Sequence, residues 1–300
     1  MHEEGDIAVE FAGDVVLVTG SGAGLGRAYA HLLAASGARV VVNDLSTAPD
    51  GRDLIGGSAQ RVVDEITAFG GEAVADAHSV ADPDGARAAV ATALEQFGRI
   101  DAVINNAGIV RSGGYHRLTP DDIQSVLGVH LIGSILVTRA AWGTMKAQGY
   151  GRVVFTSSSI GLLGTPANAA YGGAKGALAG LTRVLAAEGA DDGILVNAVA
   201  PMAVTRLNEA VMSTIFGPAT ELLTADIVAP VAAFLVHPDC ALNGEVLSAA
   251  GGRVARFALG SGPAVAGLRS PEDVRDSFTR VRATEPARWW RPPTPETRIA

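Results

Sequence analysis

Tyr171 and Lys175 stand four residues apart in a stretch whose composition predicts a helix, so both project from one helix face about one turn apart. A phenol with an ordinary pKa near ~10 is a weak base at neutral pH, and an ammonium beside it stabilises the phenolate. Such a pair can take the proton of an alcohol as hydride leaves the adjacent carbon, and can return it to an alkoxide in the reverse direction. A serine from the run Ser157, Ser158, Ser159, at the end of the strand before that helix, can hold the reacting oxygen. A Tyr and a Lys at this spacing also occur on ordinary helix surfaces, so the surrounding pattern has to decide between the two.

A second constellation lies near the N-terminus. Val15 to Thr19 is a short β-branched run that ends in Gly20, Ser21, Gly22, Ala23, Gly24, Leu25 and Gly26 and passes into a helical Arg27 to Ser36. A glycine turn between strand and helix lets the backbone approach a pyrophosphate, and the unpaired amides of the helix start face the anion. Arg39 to Val42 forms a second apolar run that closes on Asn43 and Asp44, about 20 residues beyond the turn. A carboxylate there accepts hydrogen bonds from both ribose hydroxyls of an adenosine and repels a 2′-phosphate, which favours NAD over NADP. Arg27 and Arg52 are the cations that could restore NADP binding. The plain alternative for Asp44 is a strand-end turn or helix cap.

The elements that must position these residues alternate along the chain. Helices are predicted near Ser58 to Phe69, Pro83 to Phe97, Pro120 to about Gln148, Ala169 to about Glu188 and Ala225 to Val236. Strands are predicted near Glu72 to Ala77, Ile100 to Asn105, Arg152 to Thr156, Ile194 to Val199 and Glu245 to Ala249. The expected fold is α/β, a Rossmann-type doubly wound sheet of about seven parallel strands with helices on both faces and right-handed crossovers. Residues 1–252 read as one catalytic domain with a short acidic leader. Beyond Gly252 the chain turns rich in Arg, Gly and Pro and ends near Trp289, Trp290, Arg291, Pro292 and Pro293, so 253–300 reads as an appended tail, with one helix over Pro271 to Ala283.

Composition narrows the class. A net charge of −8 without a basic stripe argues against nucleic-acid binding. With a leader lacking a basic-flanked apolar core and no apolar run near the ~20 residues of a membrane span, the expectation is a cytoplasmic protein without a membrane partner. Cys240 is the single cysteine, which excludes an internal disulfide and a cysteine-built zinc site. No metal is expected, and His116 reads as a loop residue.

Taken together, the motifs resemble the short-chain dehydrogenase/reductase family over about Gly13 to Gly252. Thr19 to Gly26 matches its Thr-Gly-x-x-x-Gly-x-Gly turn, and Asn105 to Gly108 its Asn-Asn-Ala-Gly segment. The resemblance implies that the first motif cradles the pyrophosphate, and that the second, with Asn106, Ala107 and Gly108, steadies the sheet and lines the adenosine side. It implies that the active-site serine is Ser158, thirteen residues before Tyr171, and that Pro201 and Thr205 fix the nicotinamide. Three positions depart from the pattern. Met202 stands where a Gly often follows the Pro, Ser79 replaces an Asp before the adenine-contacting Val80, and His130 takes the place of a fourth catalytic residue, usually Asn. In the family that Asn supports a water chain to the Lys and a local helix distortion. His130 can donate and accept, so it either preserves the relay or packs as a core residue. The same replacement, with Asn43-Asp44 and Thr138 to Trp142, is similar to the dehydrogenase part of peroxisomal multifunctional enzymes that oxidise (3R)-hydroxyacyl-CoA. Their hydratase part has no room here.

The substrate side is expected from the loops Ile109 to Arg117, Ile160 to Asn168 and Met202 to Phe216. Ile109, Leu162, Leu163, Met202, Val211, Met212, Ile215 and Phe216 either line a pocket for a fatty acyl chain or steroid or pack a small helix after Thr205. Ala174, Gly176, Ala177, Gly180 and Leu181 suggest subunit contact, and the resemblance implies a homotetramer or homodimer; the Arg-rich tail could wrap a neighbour or approach a CoA phosphate. The expected activity is NAD-dependent oxidation of a 3-hydroxyacyl thioester in lipid metabolism. Hydroxysteroid oxidation or 3-oxoacyl reduction are the enzymatic alternatives, and a catalytically silent NAD-binding regulator is the non-enzymatic one.

Overall fold

The computed structural model describes residues 10, 11, 13–52, 56–205, 208–262, 264–282, 288 and 289, with the side chains of 210, 211, 216, 288 and 289 outside that description. Most of the leader, Trp290 to Pro293, and the side chains of Val211 and Phe216 therefore lie outside the described residues.

Short runs of Val, Ile and Ala become strands because both faces of each are covered. In chain order the elements are β1 (Val15–Thr19), α1 (Gly24–Ala35), β2 (Arg39–Asn43), α2 (Ser58–Ala68), β3 (Glu72–Asp76), α3 (Pro83–Phe97) and β4 (Ala102–Asn105). A helix follows as α4 (Pro120–Leu127), a π-helical segment (Gly128–Gly133) and α5 (Ser134–Gln148). Then come β5 (Gly151–Thr156), α6 (Ser159–Leu163), α7 (Ala169–Gly189), β6 (Ile194–Met202), α8 (Glu209–Phe216), α9 (Ala225–Val236) and β7 (Val246–Ala250). The chain closes with β8 (Arg253–Arg256), β9 (Gly260–Ser261), α10 (Pro271–Val281) and β10 (Arg288–Trp289).

The sheet order is β3-β2-β1-β4-β5-β6-β7-β8. The first seven strands pair in parallel, as the alternation predicts, and the order reverses between β1 and β4, where a crevice opens at the carboxyl ends of the strands. β8 adds an antiparallel edge to β7. Its sequence, Arg-Val-Ala-Arg, has no buried residue, so hydrophobic pattern could not announce it. One apolar cluster, with Val16, Val18, Leu33, Ile66 and Val228, packs α1, α2 and α9 on one face. The other, with Leu17, Val103, Met145, Phe155 and Leu178, packs α3, α5 and α7 on the opposite face.

The helix expected from Pro120 to Gln148 forms over that span, and its middle turn, Gly128–Gly133, is π-helical. The sixth strand is longer than expected. β6 runs on to Met202, so Pro201 and Met202 belong to a strand and pair with Ala249 and Ala250. Two helical stretches, Pro120–Gln148 and Gly217–Val236, do reach membrane-spanning length and apolarity by composition. Here α5 and α9 inside them cover the sheet, which accounts for their apolar faces.

Candidate active site

The glycine turn is tight because its neighbours leave no room for side chains. A Cβ on Gly20, whose φ is +64°, would stand 2.6 Å from the Ala107 Cα, and one on Gly26 would overlap the Gly20 carbonyl oxygen and stand 2.6 Å from Asn106 Nδ2. Helix α1 begins at Gly24 without a side-chain cap, which leaves its first-turn amides facing the crevice. Thr205 borders Gly24, since a Cβ there would meet the Thr205 methyl at 3.4 Å. Leu25 packs into the core from the first turn of α1. This cradle, with an anion-seeking helix end, fits the pyrophosphate of a dinucleotide.

Several residues expected at the cofactor also shape its cradle through their own hydrogen bonds. Ser21 is fully buried; its hydroxyl donates to the Val18 carbonyl at 2.7 Å and its amide to the Asn43 carbonyl at 3.0 Å, so neither group is free for a phosphate. Asn106 Nδ2 donates to the carbonyls of Thr19 and Gly20, both at 3.0 Å, and thereby shapes the turn. The Ala107 amide donates to Thr19 Oγ1 at 3.1 Å. The motif reading could not separate these roles, because residue type and spacing do not say which partner a polar group bonds.

Asp44 sits at the end of β2 on the wall of a cavity of about 480 Å³ that Gly20, His78, Ser79, Val80, Ala107, Gly108 and Ile109 also line. Its Oδ2 accepts from the Gly22 amide at 2.8 Å, and its Oδ1 from the Ser46 amide at 2.6 Å and Ser58 Oγ at 2.8 Å. A carboxylate has about four acceptor sites, and three are already used. The expected pairing with both ribose hydroxyls is thus reduced to room for one. The two cations that could have favoured a 2′-phosphate are tied elsewhere: Arg27 to Glu65 at 2.8 Å, and Arg52 to Asp50 and Asp122, each at 3.1 Å.

The chemistry-bearing side chains converge where β5 meets α7. The Ser157 hydroxyl donates to the Lys175 carbonyl at 2.9 Å, a bond that fixes the strand to the helix and removes Ser157 from the site. Ser158 caps the short helix α6, accepting from the Ile160 amide at 3.2 Å. Its side chain also hydrogen-bonds Tyr171, which lowers the phenol's pKa, while burial raises it more strongly. Lys175 is 3% exposed, and burial lowers its amine to about 7. Its Nζ donates to the Thr156 carbonyl at 2.6 Å and lies 5.7 Å from the Tyr171 ring centroid. The expected ammonium is therefore beside the phenol ring but bonded to the backbone. Gly161 permits the close crossing of α6 over α7, since its Cβ would stand 2.5 Å from the Gly176 amide nitrogen.

His130 lies in the π-helical turn behind Tyr171. Its Nε2 is 2.8 Å from the Ile109 oxygen and 3.1 Å from the Ile109 nitrogen, and its Nδ1 is buried without a partner among the described residues. Burial, reinforced by the nearby Lys175 charge, lowers the imidazole to about 3, so the ring is neutral. A Cβ on Gly108 would collide with this ring, which explains the last glycine of the Asn105 to Gly108 segment.

The substrate-side residues divide. Ile109 is buried with Val126 and Ala170 against Tyr171, Leu162 packs on the core, and Met212 is 9% exposed. Leu163 and Ile215 face solvent at 74% and 64% exposure, and Met202 is half-buried. The pair that sequence reading missed is Asp76 and His78, which join beside Ser79; an acid two residues before a His at a strand end was the available signal.

Residues 14–214 match the family model described as short chain dehydrogenase. The chain is 45% identical over 266 residues to a Mycobacterium tuberculosis protein named as a short-chain type dehydrogenase/reductase, which covers 89% of this chain and 92% of that protein. It is 41% identical over 281 residues to the peroxisomal multifunctional enzyme type 2 of Mus musculus, but spans only 37% of that longer protein. The crystal structure of a short chain dehydrogenase from Mycobacterium avium matches with a TM-score of 0.81 at 38% identity, over 93% of this chain and 98% of the other. With this sheet order, this cradle and these relatives, the chain belongs to the short-chain dehydrogenase family, an oxidoreductase family that works with a nicotinamide cofactor.

Proposed function

We propose that the chain is an NAD-dependent dehydrogenase that interconverts a secondary alcohol and a ketone, acting on a 3-hydroxyacyl thioester. The observation that carries the reaction type is the meeting of Ser158, Tyr171 and Lys175 at one buried corner. When bound, the nicotinamide supplies the hydride acceptor for oxidation and the donor for reduction. Gly20, Gly24, Gly26 and the α1 amides would hold its pyrophosphate, Asp44 one ribose hydroxyl, Ser79 and Val80 the adenine side, and Pro201 and Thr205 the nicotinamide side.

In this reading the Ser158 hydroxyl holds the substrate oxygen, and Tyr171 takes its proton. Burial drives both Tyr171 and Lys175 toward their neutral forms. A proton leaving the phenol creates a negative charge next to the amine, and that charge keeps the amine protonated. Lys175 thus carries its charge when the phenolate exists, which is when it is useful.

Asp44 with Arg27 and Arg52 already paired supports NAD over NADP. Similarity to multifunctional enzymes and to the 3-oxoacyl-[acyl-carrier-protein] reductase of Synechocystis, at 41% identity over 187 residues, supports an acyl thioester over a steroid. For subunit contact, Ala174 and Gly176 turn inward, whereas Gly173, Ala177, Gly180 and Val184 expose one face of α7 that we assign to a second copy.

The test is a kinetic comparison of 3-hydroxyacyl-CoA, hydroxysteroid and simple secondary alcohols with NAD and NADP. The expected result is highest kcat/KM for the acyl-CoA with NAD. Tyr171→Phe should lose at least about a hundredfold in turnover while still binding NAD. A variant that retains turnover removes Tyr171 from the mechanism, and a preference for steroid removes the thioester.

A further inference from the structure

We infer that His78 reads the adenine of the cofactor, with an unprotonated Nε2 that accepts from the exocyclic amino group. The inference rests on the NAD reading and concerns a stretch of the cavity wall where this chain departs from the family pattern. An acceptor carboxylate is usual at the position of Ser79, and here a hydroxyl stands there.

The acceptor is supplied one residue earlier. The Asp76 carboxylate, 1% exposed, accepts from Asn43 Nδ2 at 2.5 Å, Thr92 Oγ1 at 3.1 Å and the His78 amide at 3.2 Å, and its Oδ1 lies 2.7 Å from His78 Nδ1. An ionised carboxylate only accepts, so the proton of a neutral His78 ring is held on Nδ1. The lone pair is then on Nε2, at the far edge of the ring. Nε2 has no partner among the described residues, and the side chain is 55% exposed on the wall of the cavity that Asp44, Ser79, Val80 and Gly128 share. Asn43 Nδ2 also donates to the His78 carbonyl at 2.9 Å, which fixes the backbone from the strand that carries Asp44. An imidazole whose tautomer and position are both set by a buried acid is built to present one acceptor.

Adenine offers a donor at its sixth position and hypoxanthine an acceptor, so the two bases separate this arrangement. Isothermal titration of the full chain with NAD and with nicotinamide hypoxanthine dinucleotide, at a pH well above the ordinary imidazole range, reads the preference without turnover. NAD is expected to bind about tenfold tighter, a difference of about 1.4 kcal/mol. His78→Ala should bring the two dinucleotides to within about twofold, and His78→Gln, whose side-chain carbonyl can accept, should keep part of the preference. Equal binding by the unaltered chain, tighter binding of the hypoxanthine form, or a preference that persists in His78→Ala overturns the assignment. The ligand pair on the unaltered chain decides the question even when a variant does not fold. Failure of both dinucleotides to bind overturns the cofactor reading with it, whereas binding of both without discrimination overturns only the role of His78.

Discussion

The imidazole of His130 meets the phenol ring of Tyr171 edge to face, with centroids 5.2 Å apart and planes inclined by 87°. The contact comes from the π-helical turn, which sets His130 against the Ile109 peptide and holds the ring as a buried backing for the phenol. A single Nε2 faces both the oxygen and the nitrogen of Ile109 and can serve one of them at a time, so one backbone group is always underserved.

His130→Asn presents a carbonyl and an amino group together and can satisfy both. We expect a gain of about 1 kcal/mol in stability, read by denaturant unfolding, with turnover within about tenfold of the parent. Because the imidazole is held near 3, the pH-rate profile of the parent should show no His130 inflection between there and about 7, where Lys175 titrates. An inflection in that interval that disappears in His130→Asn contradicts this picture.

Lys175→Met should abolish turnover and expose the cost of burying an amine. The folded Lys175 titrates near 7 and the unfolded one near 10.5, so between those values the unfolded chain binds more protons and parental stability rises with pH. Below about 7 the penalty is fully present. Relative to the parent, Lys175→Met should therefore be most stable on the acid side of 7, and its relative advantage should shrink steadily as pH rises toward the amine range. Thermal melts of both proteins across that interval test it; a pH-independent difference rules out the depressed amine.

Gly26→Ala should weaken NAD binding by about a hundredfold or more and cost about 2 kcal/mol of stability. The new methyl would strike the Gly20 carbonyl and the Asn106 amide, and both are held by the turn that cradles the pyrophosphate. Calorimetric titration with NAD and a thermal melt measure the two effects. A variant that binds NAD like the parent would show that the turn can yield.

Much of the fold was legible because burial on both faces writes itself into strands such as Val15–Thr19 and Ala102–Asn105 as unbroken apolar runs. The edge strand Arg253–Arg256 left no such mark, since neither of its faces is buried. Apolar spacing along Pro120–Gln148 did not announce the π-helical turn either, since it hardly changes when one turn widens; only the family resemblance at His130 implied a local helix distortion there. Tyr171 and Lys175 were candidates by type and spacing, the family resemblance singled out Ser158 from its two serine neighbours, and the tertiary fold brings the three to one corner. What each neighbouring polar group does with its hydrogen bonds was beyond reach of spacing: Ser21 and Asn106 turned out to be committed to the backbone.

Local sequence by itself determined the order of strands and helices, the glycine turn and the short list of groups able to move a proton, for these depend on near neighbours and on chemical type. Only tertiary structure decided which of those groups remain available, as at Asp44, where three donors from three segments occupy most of the carboxylate. It also decided their charge states, as at Lys175, whose amine is depressed by the removal of water on all sides. Hydrogen-bond saturation and desolvation are set by atoms distant in the chain, and no local pattern carries them.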